Sequence, residues 1–238
     1  MKLYLHFLPV AEEVTRKLES MVAPADGPLA GFMALLDERL NSLVPLVRQV
    51  LDQLYTLPSI STDHPSMRAY LAHPIRVAHA VLATMEEPSA NAILTALLHN
   101  LFELSGLNED DLQQWGLTQS VTANIRLLTI NRSCESDIDY LTGFYSAIET
   151  AGEELALVRC MDKLDNLMGS QIVDDLQFRS EYIQLADRFL TPMARRLDMG
   201  FGEYFSLTCA FARYAPYLPE VRQRIDSFVT SGGHMHDR

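Results

Sequence analysis

Apolar residues recur at three- and four-residue intervals through almost every segment between turn signals, and no stretch alternates long enough to predict a strand. The pattern predicts an all-α fold. Helices are expected near residues 68–86, 89–104, 108–115, 118–130, 137–151, 153–169, 180–199, 202–214 and 218–230. Ahead of them, Pro24 to Pro28 separates a first helical stretch from a second, Leu29 to Tyr55. Phe32, Leu35, Leu36, Leu40, Leu43, Val47, Val50, Leu51 and Leu54 give that second stretch one apolar stripe, the mark of a helix buried on one side. The polar connector from Leu57 to Pro65 is the natural boundary in the chain. Residues 1–60 are therefore expected to form an accessory helical extension, and residues 61–238 the main helical domain.

With 238 residues, 48% of them hydrophobic, the chain is long enough to bury a core of its own. The formal net charge of -12 changes the list of partners, because an acidic surface repels a nucleic-acid backbone. A small phosphorylated ligand stays compatible, since a bound divalent cation and a few local cations neutralise it. The apolar run Tyr4 to Val10 is too short to span a bilayer and leads into Glu12 and Glu13 without a cleavage pattern, so no membrane partner is expected. Three widely spaced cysteines, Cys134, Cys160 and Cys209, fit neither a disulfide framework nor a CxxC motif, which points to a reducing, cytoplasmic setting.

Candidate chemistry sits in three apolar windows. They are AYLAHPIRVAHAVL with His73, ILTALLHNLFELSG with His99, Asn100 and Glu103, and LALVRCMDKLDNLMG with Asp162, Lys163 and Asn166. Helical spacing puts His99 and Glu103 on one face, and Asp162 and Asn166 on another. Burying imidazoles and a carboxylate costs several kcal/mol unless they are hydrogen-bonded or share a cation. Two imidazole nitrogens with oxygen donors suit manganese, iron or zinc better than calcium, which prefers oxygen alone. Taken singly, His73, His99 and Asp162 are better explained as satisfied core histidines and a capping carboxylate; taken together, a shared divalent ion is the better reading. His79, six residues after His73, points away from that face and reads as structural.

The order His73, then His99-Asn100, then a distant Asp162 resembles the signature of the HD superfamily of metal-dependent phosphohydrolases. The flanks are similar to the Rel/SpoT-type hydrolases of guanosine tetraphosphate and related alarmones. YLAHPIRVA resembles their YxxHPxxVA, ALLHNLFELSG their ALLHDxxEDTG, and NEDDLQQWG their xxExIxxxFG. LVRCMDKLDNLMG resembles IKLADRLHNM and LADRFLTPMARRLDM resembles IYxPLAxRLGM, so the likeness covers residues 64–200. The resemblance implies an HD-type helical bundle and a divalent ion, manganese first among the options, held by His73, His99, Asp162 and Asn100. It also implies that Glu103 and Lys163 act in catalysis, that Asn166, His64 and Tyr70 contact substrate, and that the substrate is a small phosphorylated nucleotide.

The departures are specific. Asn100 stands where the family has the HD aspartate, and Leu104 where it has the second carboxylate of a Glu-Asp pair. His64 stands where an arginine that contacts the base is usual, and Asp165 replaces a histidine. Two expectations follow: a phosphohydrolase with a weakened ion site, or a catalytically silent module of the same fold that binds a nucleotide or a partner.

Overall fold

The computed structural model describes residues 1–21, 26–57 and 65–230. Over these the chain is all-α. In chain order the helices are α1 (Val10–Met21), α2 (Asp26–Leu40), α3 (Val44–Thr56), α4 (Pro65–Thr84), α5 (Ala90–Leu98), α6 (Leu101–Leu104) and α7 (Glu109–Gln114). They continue as α8 (Gln119–Leu128), α9 (Ile138–Ala151), α10 (Glu153–Met168), α11 (Leu176–Leu197), α12 (Met199–Tyr214) and α13 (Pro219–Thr230). The extended backbone that pairs among the described residues is one isolated antiparallel bridge, Leu3 to Met85. No helix among the described residues is long and apolar enough to cross a membrane.

Two of these helices are buried nearly all round and form the centre of the bundle. On α10, residues Leu155 to Asp162 are all buried, together with Leu164, Leu167 and Met168. On α5 the buried run is Ala92 to Leu98. A helix buried on nearly every face needs neighbours on every face, and α10 has them in α1, α4, α5, α9, α11 and α12. Gly152 makes the turn from α9 into α10 with φ 130, a backbone conformation that a side chain would strain. Ser89, Asn108, Thr118, Asp137, Asp175 and Asp198 cap α5, α7, α8, α9, α11 and α12 by accepting their first free N–H groups.

The predicted second stretch, Leu29 to Tyr55, is in fact two helices joined by a 3-10 turn at Asn41–Leu43. Pro45 is the reason: it fits the first turn of α3, but within a continuous helix its ring would meet the carbonyl of Asn41. The helix expected over 89–104 is also broken, at His99 and Asn100. Helix α11 begins at Leu176, four residues ahead of the expected start. The connector at 58–64 lies outside the described residues, but the helices before it join the common core, where Val14, Leu18, Phe32, Leu36 and Val47 cluster with Val77, Leu97 and Leu157.

Helix α4 is fixed at its C-terminal end by elements from the first part of the chain. The guanidinium of Arg39 on α2 donates to the carbonyl of Leu82, and its Nη2 donates to those of Met85 at 2.7 Å and Glu86 at 2.8 Å. A cation on these carbonyls at the helix end also complements the helix dipole. The Tyr4 amide adds a bond to the Thr84 carbonyl at 2.7 Å.

Candidate metal centre

Helices α4, α5 and α10 bring His73, His99 and Asp162 to one point. The Nε2 atoms of the two histidines are 3.2 Å apart, and the Asp162 Oδ1 lies 3.3 Å from that of His73 and 3.5 Å from that of His99. His99 and Asp162 are buried and His73 is 14% exposed, so His73 is the corner of the triangle in contact with solvent. Edges of this size leave a point about 2.1 Å from all three atoms, slightly off their plane, which is the bond length of a first-row ion to nitrogen or oxygen.

The hydrogen bonds behind the triangle decide which atoms face into it. His73 donates from Nδ1 to Asp165 Oδ2 at 2.7 Å, and His99 donates from Nδ1 to the Ala96 carbonyl at 2.7 Å. Both acceptors lack protons, so in the neutral rings each Nε2 carries a lone pair. Asp162 Oδ1 accepts from Asn166 Nδ2 at 3.0 Å, and Oδ2 accepts from Arg159 Nη1 at 3.0 Å with Lys163 Nζ at 3.2 Å. Three acceptor atoms thus converge with no donor of their own. Such a set can be satisfied by a proton on His73 or by a cation, and its spacing fits a metal ion. Each histidine bonded through its other nitrogen is the usual support of a metal-bound imidazole.

Charges around the triangle hold its acids ionised. Burial alone would raise the Asp162 carboxyl, but Lys163, His99 and His73 outweigh it and hold it well below the usual range. Asp165 is likewise depressed against its burial, by Lys17 and Arg76 with the His73 hydrogen bond. For His73, burial opposes the charged ring, yet its bonds to Asp162 and Asp165 prevail and raise its pKa. A proton on His73 therefore competes with any ion for this point.

Other expected site residues lie at varying remove. Asn100 follows His99 in the break between α5 and α6, with φ -102 and ψ 4, and its side chain does not cap α6. The break means that His99 and Glu103 do not share one continuous helical face, as the spacing had suggested. The Glu103 carboxylate instead faces the segment after α8, where it accepts from Arg132 Nη2 at 2.5 Å and from the Ile130 amide at 3.3 Å. Lys163 borders the triangle through Asp162 and sits 5.9 Å from the centre of the Tyr182 ring. Asn166 spends its amide donor on Asp162. His79 is half-buried, with its pKa lowered by burial and by Arg16. His64 lies outside the described residues, and so does the side chain of Tyr70, whose backbone belongs to α4.

Several neighbours of the triangle were not anticipated from sequence. Arg159 is 2% exposed, with its guanidinium 5.1 Å from the Phe144 ring centre and 5.7 Å from that of Tyr145. The hydroxyl of Tyr182 is buried beside Asn166, and among the described residues it meets no partner in full hydrogen-bond geometry. Asp165 holds His73, and Arg76 and Lys17 hold Asp165. Arg159, three residues before Asp162, was readable as a second charge on the same helical face. No protein-family model matches the chain, and no curated protein matches it significantly in sequence.

Proposed function

We propose that the chain is a metal-dependent phosphohydrolase of the HD type, acting on a nucleotide or alarmone-like phosphate ester. The observation that carries this reading is the triangle of three acceptors, His73, His99 and Asp162, in the chain order of the HD signature. Two nitrogens and one carboxylate oxygen suit manganese best, with iron and zinc as close seconds. The ion would supply Lewis acidity toward a phosphoryl oxygen and make water more acidic. In this reading Lys163, beside Asp162, would offset charge that develops on the phosphoryl oxygens, and Glu103 would orient and deprotonate the attacking water. For an acidic chain, a small phosphorylated nucleotide with its own cation is a better fit than a nucleic acid.

A second reading, a silent nucleotide-binding module of the same fold, draws support from one contact. The Glu103 carboxylate is engaged by Arg132 and the Ile130 amide, contacts that occupy both of its oxygens. The two readings part in a turnover assay of guanosine tetraphosphate and ordinary nucleotides with manganese. The hydrolase reading expects phosphate or pyrophosphate release that a chelator abolishes. Tight nucleotide binding without turnover, whichever divalent ion is supplied, would reject the hydrolase in favour of the module.

Asn100 is proposed as a fourth, weak ligand through its amide oxygen. Replacing it with Asp adds a unit of negative charge beside the ion. Asn100→Asp is expected to tighten manganese binding on the order of tenfold, or about 1.4 kcal/mol. Calorimetric titration of both proteins checks this, and equal or weaker affinity in the variant would remove Asn100 from the ligand set.

A further inference from the structure

Asp165 is where the site meets the N-terminal part of the chain. Its Oδ1 accepts from Arg76 Nε at 2.9 Å, and its Oδ2 from Arg76 Nη2 at 3.1 Å. The Nζ of Lys17, on α1, reaches the same Oδ2 at 2.9 Å and also donates to the backbone carbonyl of Asp165. Lys17 is only 8% exposed. Gly169 makes room for it, since a Cβ there would lie 3.1 Å from its Nζ and 3.2 Å from its Cε. A lysine loses much rotamer freedom and hydration when buried in this way, and a helix that merely covers the core needs no such residue. The carboxylate is gripped from two helices, so it cannot turn away from the His73 Nδ1 at 2.7 Å.

We propose that α1 is part of the metal centre, with Lys17 a positioning residue that holds Asp165 against His73 and so keeps the His73 Nε2 lone pair aimed at the ion. The inference rests on the ion-binding reading of the triangle. It gives the segment before the connector a function: docking of α1 sets how tightly the ion is held. The sign of the effect separates positioning from simple electrostatics. Loss of a nearby positive charge by itself strengthens cation binding, whereas loss of the grip on Asp165 weakens it.

The test is titration of the full chain with manganese, alongside the visible absorption spectrum of the cobalt-loaded protein and a thermal melt of each variant. Lys17→Met is expected to lower manganese affinity, by less than the roughly 10–100-fold that loss of the ligand's own outer-sphere partner costs, and to alter the cobalt bands. Gly169→Ala crowds the lysine while leaving every charge in place, and its backbone at φ -94 suits alanine; it is expected to act in the same direction, less strongly. If Lys17→Met does not fold, Gly169→Ala decides the matter by the same two readouts. Wild-type affinity and unchanged cobalt bands in the folded variants would overturn the role of Lys17 while leaving the ion site standing. A wild-type protein that takes up no divalent ion would overturn the ion site itself, and this inference with it.

Discussion

Asp162→Asn is expected to reduce manganese affinity by more than the roughly 10–100-fold that loss of an outer partner costs, and to destabilise the fold by about 3–5 kcal/mol. The substitution preserves shape, removes the charge and turns one of the two acceptor oxygens into an NH2 donor. Asp162 is the anion on which two histidines, Arg159 and Lys163 converge, and it is 1% exposed. Without it the buried Arg159 keeps its charge but loses the partner 3.0 Å away. Because the Asp162 pKa is depressed in the fold, its contribution is present above the unfolded carboxylate value, about 3.9, and fades as pH falls through the lower folded value. The loss should therefore appear in full at neutral pH. Denaturant unfolding of the ion-free proteins measures the stability term, and calorimetric titration the affinity. Undiminished manganese affinity in Asp162→Asn would show that the triangle is not the ion site.

For Glu103→Gln the expected loss is in turnover, by roughly 10²–10⁴-fold, the usual contribution of a general base. Gln keeps the length and one acceptor oxygen, so the Ile130 amide can retain its bond, while the ion pair to the exposed Arg132 is lost. Manganese and nucleotide affinities should be preserved, because Glu103 lies outside the triangle. A fall in kcat without a matching change in ligand affinity assigns Glu103 to the chemical step. Equal turnover in both proteins would mean that Arg132 holds this acid in a structural role.

The triangle was legible because it breaks a local rule: polar, ionisable residues at helical spacing inside apolar windows need a common explanation. Its supports were less so. Asp165 stands out in sequence only as a departure from the family pattern, and its bond to His73 depends on the register of α4 against α10. Lys17 gave no signal at all, since on an amphipathic helix such as α1 a lysine reads as solvated until the packing of α1 on α10 is known. The break at His99 and Asn100 was hidden by Leu98, Leu101 and Phe102, which carry the apolar period straight across it. What ends α5 there is one backbone conformation at Asn100, in a sparsely populated region that periodicity does not report. At Asn41–Leu43 the signal was present as Pro45, and the apolar stripe outweighed it.

The corners of the triangle come from helices far apart along the chain, at residues 73, 99 and 162. An unfolded chain cannot hold these three atoms together, so an ion seated among them acts as a removable crosslink across α4, α5 and α10. Its binding energy becomes folding energy. If the site holds an ion, its supply would add to the stability of the native state through the contacts that join these three helices.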